Sequence, residues 1–320
     1  MRPRVFVAIL PSALAALTLV LSGCGGGATT TGSGKAIEVD GSSTVFRISK
    51  AARDSFKKVD PSARIVVDNH GTGGGFARYL DGEVDIVDAS RDAKPDEQEK
   101  AKAKKLDWTR FLVGHDGITL VVNAKNTSIT ELSVPQLKDL FAVGSKIKTW
   151  KDLDPSWPAE KISLNTPDDA SGTYEFFVEA VLGKGKKTRT DVQASPDDNT
   201  LVRSVASDPY GLGYFGYAYF AANQEKLRAV PIREKADGAA VLPDPKSILD
   251  GSYKPLSRPL YIFAKTDSLK RPEVLAFVTH YLENVSTLAE SGGYVSPTAE
   301  ERAQNQKTLA TAAKGAGAQP

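Results

Sequence analysis

The chain has 320 residues, with 41 lysine and arginine residues against 39 aspartate and glutamate residues and a formal net charge of +2. This length is sufficient for two modest domains with cores of their own. The balance of charge argues against a general nucleic-acid-binding protein, which normally carries a large basic excess. The sequence contains one cysteine, Cys24, which excludes an intramolecular disulfide and a zinc site built from cysteines.

The first 23 residues have the pattern of a bacterial signal peptide. Two arginines precede a mostly apolar stretch at residues 5–21, which is short for a membrane span. Leu-Ser-Gly then precedes Cys24 and resembles the lipobox of bacterial lipoproteins, which implies that residues 1–23 are removed and that Cys24 carries lipid. The alternative is an ordinary signal peptide followed by a chance cysteine. Residues 24–35 are rich in Gly and Thr, which predicts a flexible linker before the folded part.

From residue 36 onwards, short apolar runs alternate with helical patterns. The first helix is predicted between Val45 and Val59, where apolar residues recur every three or four positions. Further helices are predicted near Phe76, Tyr174, Leu201 and Pro272. The predicted strands are Ile37–Val39, Ile65–Val67, Val84–Val87, Gly117–Val122, Ile162–Leu164, Leu212–Tyr217 and Leu260–Phe263. This alternation indicates an α/β fold with largely parallel sheets. We expect residues 306–320, which have little to pack, to be disordered.

Three of the turns between a predicted strand and a predicted helix have the composition of an anion-binding loop. They are Gly-Ser-Ser-Thr at residues 41–44, Gly-Thr-Gly-Gly-Gly at residues 71–75 and Ser-Gly-Thr at residues 171–173. A helix N-terminus offers unpaired N–H groups and the positive end of a dipole, and hydroxyls add donors. Ser43, Thr72 and Ser171 could each be an ordinary helix N-cap instead. Because ligands of open α/β sheets bind beyond the carboxyl ends of the strands, the three turns together favour one site for a small anion.

Five segments spread over the chain resemble the phosphate-binding proteins of bacterial high-affinity phosphate ABC transporters. They are VDGSSTVF (39–46), GTGGGFARYLDGEVDIVDASR (71–91), HDGITLVVNAKN (115–126), DASGTYEFFVEAVLGK (169–184) and ASPDDNTLVRSVASDPYGLGYFGYAYF (194–220). The resemblance implies a type II periplasmic-binding-protein fold, an α/β fold with two lobes, mixed and mostly parallel sheets, and a central cleft. Lobe 1 would comprise residues 36–117 and 258–305, and lobe 2 residues 118–257. The chain would cross between the lobes near Gly117 and Pro259.

The resemblance also implies a set of phosphate contacts. They are Ser43, Thr44, the backbone of Val45, Thr72, Ser90, Ser171, Gly172 and Thr173. Two positions depart from the pattern of well-known members, because Arg91 replaces an aspartate and Pro167 replaces an arginine. A doubly charged anion needs a charge-assisted partner, and arginine binds phosphate oxygens in bidentate fashion. We expect Arg91 to be that partner, with Arg189 and Arg47 as reserves. A surface ion pair of Arg91 with a neighbouring aspartate is the alternative.

Two aspartates are candidates for accepting the proton that phosphate carries and sulfate lacks. A carboxylate in the site welcomes a protonated oxyanion and repels one without a proton. Asp88 and Asp169 lie in or beside the matched loops. Either could instead be a solvated loop acid or a helix cap.

The resemblance implies a protein that binds inorganic phosphate in the cleft and delivers it to the permease subunits of an ABC transporter. It would be a monomer, anchored by lipid at the outer face of the cell membrane, in a periplasm or at the outer cell surface, without a cofactor or a nucleic-acid partner. The three histidines form no metal-type pair and no nucleophile elbow is present, so no metal site and no catalytic residue are predicted. The alternatives are a secreted phosphatase-like relative, a binder of another oxyanion such as sulfate or molybdate, and a phosphate sensor.

Overall fold

A computed structural model describes residues 35–169 and 171–315. The predictions of a signal peptide at residues 1–23, of a lipid on Cys24 and of a linker up to residue 34 lie outside the described residues. Among the helices of the described part, none is long and apolar enough to cross a membrane.

Strands and helices alternate along most of the chain. The strands are β1 (Ile37–Gly41), β2 (Ile65–Val67), β3 (Ile86–Ala89), β4 (Trp108–Asn123), β5 (Leu132–Ser133), β6 (Ser163–Pro167), β7 (Gln193–Ser195), β8 (Gly211–Gly216), β9 (Leu227–Ala229), β10 (Ile232–Arg233), β11 (Ala240–Val241) and β12 (Ser257–Lys265). The α-helices are α1 (Ser43–Val59), α2 (Gly71–Leu80), α3 (Pro95–Ala103), α4 (Val134–Phe141), α5 (Trp150–Leu153), α6 (Gly172–Phe177), α7 (Asp198–Ser207), α8 (Tyr217–Ala221), α9 (Pro245–Leu249), α10 (Pro272–Glu283), α11 (Val285–Ser291) and α12 (Ala299–Gly315). A π-helical turn, Val178–Leu182, continues α6, and a 3-10 turn, Ser268–Lys270, precedes α10.

The two longest strands, β4 and β12, run side by side through the middle of the main sheet. The strand order is β2-β1-β3-β12-β4-β8-β6-β7, and β9 adds to β4. A small second sheet has the order β11-β10-β5. The described sheets are mixed, as predicted, but their five parallel and five antiparallel pairs are equal in number. Parallel pairing does not dominate because every pair that involves β4 or β12 is antiparallel.

Two large hydrophobic clusters lie on either side of this middle. The first core takes its buried residues from positions 37–113 and 260–309. The second core takes its buried residues from positions 118–256. The chain therefore passes from one core to the other in β4 and returns in β12. At this crossing Arg258 lies opposite Asp116 in the antiparallel pairing of the two strands.

Helix α1 shows how the sequence pattern selects the buried face. Val45, Ile48, Ala52 and Phe56 are buried, and their spacing places them on one side of the helix, against the first core. The helix ends at Val59, two residues before Pro61, which cannot continue it. The predicted position of this helix is thus confirmed.

Strand β8 is shorter than the aromatic sequence around it suggests. It ends at Gly216, and Tyr217–Ala221 forms the short helix α8. The strand pairs with β4 as far as Ile118, and beyond that residue β4 moves over to the first core. The residues after Gly216 therefore have no neighbouring β4 residues with which to form β-sheet hydrogen bonds.

The C-terminal segment is helical, and its predicted disorder is wrong as far as Gly315; residues 316–320 lie outside the described residues. Leu309 is buried in the first core. The side chain of Asn305 accepts a hydrogen bond from the Leu112 amide (3.2 Å) and donates one to the Leu112 carbonyl (2.7 Å). Leu112 lies beside a register shift in the β12–β4 pairing. Leu309 and Asn305, together with Glu301, which lies 3.1 Å from the ring of His115 on β4, thus dock a helix whose composition alone gives little reason to pack.

We predict that Asn305→Ala lowers the free energy of unfolding by about 1–3 kcal/mol, because both backbone groups of Leu112 lose a buried partner. Urea denaturation of the purified chain measures this. Gln304→Ala is the matched control on the same helix, since Gln304 is exposed and donates to Thr308, and it should change stability by less than about 0.5 kcal/mol. Equal effects of the two substitutions would contradict the docking role of Asn305.

Candidate functional site

The turn between β1 and α1 is fixed by a close approach to β3. Gly41 has a φ of +145°, and a side-chain carbon there would collide with the carbonyl of Asp88. The amide of Ser42 donates to the same carbonyl at 2.8 Å. Helix α1 therefore begins at Ser43 with its first amides unpaired within the helix. The side chain of Val45 is buried in the first core, so any contact of Val45 with a ligand would use its backbone.

An arginine that the sequence analysis did not select joins the first two predicted loops. Arg258 Nη2 donates to Thr44 Oγ1 at 2.7 Å, and Arg258 Nη1 donates to Ser90 Oγ at 3.1 Å. The amide of Ser90 in turn donates to Thr72 Oγ1 at 3.2 Å. Three hydroxyl residues from separate loops are thus connected through one guanidinium group.

The third predicted loop meets the first across the gap between the two cores. Ser171 caps α6, since its hydroxyl accepts from the Thr173 amide at 3.2 Å. Thr44 Oγ1 donates to the Gly172 carbonyl at 3.3 Å. A side-chain carbon on Gly172 would lie 2.6 Å from the Thr44 amide nitrogen, so this approach requires glycine. The structure therefore brings all three loops together.

Three cavities border these loops. The smallest, of about 420 Å³, is lined by Ser43, Arg47 and Gly172 among others, and the other two share Glu175. One, of about 640 Å³, is lined by Ser43, Asp169, Ser171 and Glu175 among others. The other, of about 650 Å³, is lined by Thr72, Ser90, Arg91, Glu175 and Arg258 among others. Glu175 lies in the first turn of α6 and accepts a hydrogen bond from Ser43 Oγ at 2.7 Å. A carboxylate thus lies at the mouth of the candidate site.

The guanidinium group of Arg258 is stabilised by a carboxylate and an aromatic ring. Its Nε lies 3.4 Å from Asp116 Oδ2, and its guanidinium group lies 3.7 Å from the ring centroid of Phe176. Burial lowers the pKa of Arg258, and the neighbouring Asp116 opposes that shift. Burial likewise raises the pKa of Asp116 against the effect of Arg258. Asp116 Oδ1 is buried and has no hydrogen-bond partner among the described residues.

Arg91, the predicted partner of the anion, is engaged elsewhere. Its two terminal nitrogens each donate to one oxygen of Glu97 at 2.9 Å. Glu97 lies in the first turn of α3 and also accepts from the Lys94 amide, which fixes its position. Arg91 lines the same cavity as Thr72, but its charge is compensated by Glu97. The alternative predicted from the sequence was an ion pair of Arg91 with a neighbouring aspartate, but the acid that pairs with Arg91 is Glu97.

The two reserve arginines also have acidic partners. Arg189 forms a bidentate pair with Asp191, at 2.6 and 2.7 Å, and donates to two backbone carbonyls of the second core. Arg47 lies 3.6 Å from Asp198. Arg189 lines none of the three cavities at the loops, whereas Arg47 lines the smallest of them beside Ser43 and Gly172.

Asp88, a predicted proton acceptor, lies inside the first core instead of in the cleft. Its side chain is fully buried, and Oδ1 accepts from Ser49 Oγ at 2.7 Å, which contacts the hydroxyl of Tyr281 at 3.1 Å. Burial raises the pKa of Asp88 to about 8, against the effect of the Ser49 hydrogen bond. A carboxyl group that already holds its proton and cannot reach the cleft does not accept one from a ligand, so this prediction is wrong.

Three site residues went unnoticed in the sequence, although each had a local signal. Asp116 and Arg258 are each the residue before a predicted crossover, at Gly117 and Pro259. A charged pair at a crossing between lobes is an expected place for a ligand contact. Glu175 lies in a matched segment, two residues after Thr173. What the sequence does not give is the register of β12 on β4, which puts Asp116 and Arg258 opposite each other.

Chemically, the assembled site offers hydrogen-bond donors and one largely buried cation, Arg258. Within residues 35–169 and 171–315, no group of three or more His, Cys, Asp or Glu residues is placed to hold a metal ion. Hydroxyls, helix amides and a guanidinium group are the partners that a tetrahedral oxyanion requires. The arrangement therefore suits the binding of a small anion.

The fold belongs to a known class of binding proteins. Residues 26–285 match the model of a family described as the PBP superfamily domain. A solved structure described as a possible phosphate binding protein from Planctomyces limnophilus is 41% identical, with a TM-score of 0.83 over 87% of this chain and 98% of that one. These matches confirm the α/β periplasmic-binding-protein fold.

Curated relatives narrow the class. The phosphate-binding protein PstS of Staphylococcus saprophyticus is 36% identical over 297 residues, which cover 91% of this chain and 90% of that protein. Protein SphX of Synechococcus elongatus is 38% identical over 261 residues, which cover 81% of this chain and 77% of that protein. The chain belongs to the family of PstS phosphate-binding proteins within the PBP superfamily, and the resemblance seen in its sequence is confirmed.

We predict that Asp88→Asn changes how stability depends on pH. Asp88 keeps its proton up to about pH 8 in the folded chain, against an ordinary pKa of 3.8. Between these values the unfolded chain binds fewer protons than the folded one, so the stability of the parent falls as pH rises through this window. Asparagine does not ionise, and the free energy of unfolding of the variant relative to the parent should therefore increase with pH.

Urea denaturation at several pH values between 4 and 8 measures this difference, in the window set by the two pKa values. Asp81→Asn, at an exposed aspartate that pairs with Lys104, is the control, and its difference from the parent should vary little over the same range. A difference for Asp88→Asn that does not change with pH would contradict the buried, protonated state.

Proposed function

We propose that the chain binds inorganic phosphate between its two cores and delivers it to the permease of an ABC transporter. The observation that carries the proposal is the connected line from Thr72 through Ser90, Arg258 and Thr44 to Gly172, which draws on loops from both cores. The names of the curated relatives agree with it, since the Staphylococcus saprophyticus protein is named as a phosphate-binding protein. Ser43, Ser171 and Thr173, with the backbone of Val45, complete the proposed set of contacts.

The two cores support a clamp of two lobes. Lobe 1, residues 36–117 and 258–305, contains nearly all of the first core, and lobe 2, residues 118–257, contains the second core. We extend lobe 1 through α12, because that helix packs on the first core. Two strands that cross between lobes can act as a hinge, so that the lobes close around the ion.

Arg258, rather than Arg91, is the proposed charge partner of phosphate. An arginine side chain has five N–H donors, and the contacts to Asp116, Ser90 and Thr44 use three of its nitrogens once each. The two remaining N–H groups of Nη1 and Nη2 are available to oxygens in the cavity that Arg258 lines. Asp116 holds the guanidinium group in place from the opposite side.

We predict that Arg258→Gln raises the dissociation constant for phosphate at least about 30-fold, because the ion loses its largely buried cationic partner. Arg258→Lys keeps the charge but loses the planar, forked arrangement of donors, so its dissociation constant should lie between those of Arg258→Gln and the parent. Titration calorimetry with phosphate on the purified chain measures all three.

Arg91→Gln is the matched control, since Arg91 lines the same cavity while paired with Glu97. Its dissociation constant should change less than about 3-fold. A large loss with Arg91→Gln and a small one with Arg258→Gln would return the role to Arg91. No heat of binding with the parent itself would refute the proposed function.

Glu175 and Asp169 are the proposed acceptors of the phosphate proton, and Glu175 is the stronger candidate because its carboxylate contacts Ser43 at 2.7 Å. Asp169 lines the same cavity. Either carboxylate would repel sulfate, which has no proton to share. This replaces the role that the sequence suggested for Asp88.

We predict that Glu175→Gln weakens phosphate and strengthens sulfate, so that the ratio of their dissociation constants narrows by about 10-fold or more. Competition of both anions against labelled phosphate at pH 7 measures the ratio. Glu179→Gln, one helical turn further along the same cavities, should leave it unchanged, and Asp169→Asn should narrow it less than Glu175→Gln. An unchanged ratio of the two dissociation constants in both Glu175→Gln and Asp169→Asn would exclude a carboxylate acceptor at these two positions.

The chain is proposed to act as a monomer outside the cytoplasmic membrane, where the phosphate-binding proteins of ABC transporters work. Residues 1–23 would be cleaved as a signal peptide, and a lipid on Cys24 would hold the protein at the membrane surface through a flexible segment. The Leu-Ser-Gly-Cys sequence at residues 21–24 supports this. Mass spectrometry of the mature N-terminus tests it, and an unmodified Cys24 would rule it out.

A further inference from the structure

A second set of contacts joins the two cores outside the candidate phosphate site. Arg47, on α1, lies 3.6 Å from Asp198, the first residue of α7, and the side chain of Asp198 is 5% exposed. The first helix packs on the first core, whereas α7 packs on β8, on the other side of the crossing. This ion pair is therefore formed between the two proposed lobes.

Close backbone approaches lie beside the ion pair and require the two lobes to be in contact. Gly216, at the end of β8, faces the carbonyl of Gly293, and a side-chain carbon on Gly216 would lie 2.8 Å from that oxygen. A side-chain carbon on Gly293 would in turn lie 2.8 Å from the ring of Tyr219. The next residue, Tyr294, donates its hydroxyl to the Thr44 carbonyl at 3.0 Å. The contact thus ends at a residue of the phosphate site, and Arg47 and Tyr219 line the cavity that Ser43 and Gly172 border.

We infer that Arg47 and Asp198, together with the packing of Gly216 against Gly293, form a clasp that holds the lobes closed and sets how long phosphate stays bound. The inference rests on the proposed function. A ligand that binds the closed form gains apparent affinity from anything that stabilises that form, whether or not it touches the ligand. Arg47→Gln leaves Asp198 buried without its cation, which penalises the closed form, and Asp198→Asn removes the attraction between the two lobes.

The clasp predicts a change in release and not in capture. Phosphate enters the open form, in which the clasp is not made, so the association rate should stay close to that of the parent. Release requires the clasp to open, so Asp198→Asn should raise the dissociation rate and the dissociation constant on the order of 5- to 30-fold. Arg47→Gln should act in the same direction. Because the two residues form one contact, the double variant should be little worse than either single variant.

The experiment follows release of labelled phosphate from the purified chain into an excess of unlabelled phosphate, for the parent and each variant. Asp197→Asn is the matched control, because this substitution removes the same charge from the same end of α7. Asparagine can replace Asp197 as the cap of that helix, and Asp197 pairs with Arg203 instead of Arg47. Its release rate should equal that of the parent. Gly216→Ala tests the clasp without altering charge and should speed release, whereas Gly211→Ala, at the start of the same strand with more space around it, should not.

Small-angle X-ray scattering without phosphate provides a second measurement that does not depend on the ligand. The radius of gyration of Asp198→Asn and of Gly216→Ala should exceed that of the parent, because fewer molecules are closed. Parent-like release and parent-like scattering for both variants would overturn the clasp, and so would an equal effect of Asp197→Asn. If the parent binds no phosphate, the proposed function fails, and scattering alone then decides whether the clasp exists.

Discussion

The candidate site depends on one guanidinium group held at the crossing between the two cores. Arg258 lies opposite Asp116 in the sheet, and burying both charges is costly unless each has a partner with good geometry. Asp116 and the ring of Phe176 supply part of that compensation. One N–H group of each terminal nitrogen of Arg258 reaches Ser90 or Thr44, and the other N–H group of each is left for a ligand. The loops are therefore oriented around a charge that the sheet itself positions, and a buried cation with unfilled donors is what a small anion needs.

The hydroxyls of the site already have partners, and this affects how an anion is selected. Ser43 donates to Glu175, and Thr44 donates to the Gly172 carbonyl. An incoming oxyanion must offer these donors at least as good an acceptor. It must also tolerate the nearby Glu175 carboxylate. An oxyanion that carries a proton can convert this repulsion into a hydrogen bond, whereas one without a proton cannot. The same contacts that join the lobes can thus favour phosphate.

The local sequence pattern predicted the helices and strands well, but it failed where a residue's position depends on contacts with segments far away in the sequence. The periodicity of α1 and the strand-to-helix turns depend on neighbouring residues and were correct. Arg258 was missed because its contact with Thr44 spans 214 positions and depends on strand register. The pairing of Arg91 with Glu97, six positions away, was not predicted, since the loop that turns one toward the other is not visible in the residue types. Asp88 lies on β3, a strand that is buried on both faces. The alternation of apolar and polar residues that marks a half-buried strand is absent there, so it could not predict that Asp88 is buried. Helix α12 was missed because it is docked by distant contacts, among them those of Asn305, Leu309 and Glu301.

Capture and retention of the ion are separated in this molecule. Arg258 and the hydroxyls of the three loops lie where an anion would contact them directly, and their substitution would weaken binding whether the lobes are open or closed. Asp198 lines none of the three cavities at the loops and can act on the ion through the closed state alone, whereas Arg47 also lines the cavity bordered by Ser43 and Gly172. A receptor that must release its cargo to a transporter benefits from this arrangement, because a partner that separates the lobes weakens binding without competing for the ion. The buried Asp198 carboxylate makes that separation sensitive to a single side chain, since its charge is compensated by Arg47 in the closed form and by water in the open one.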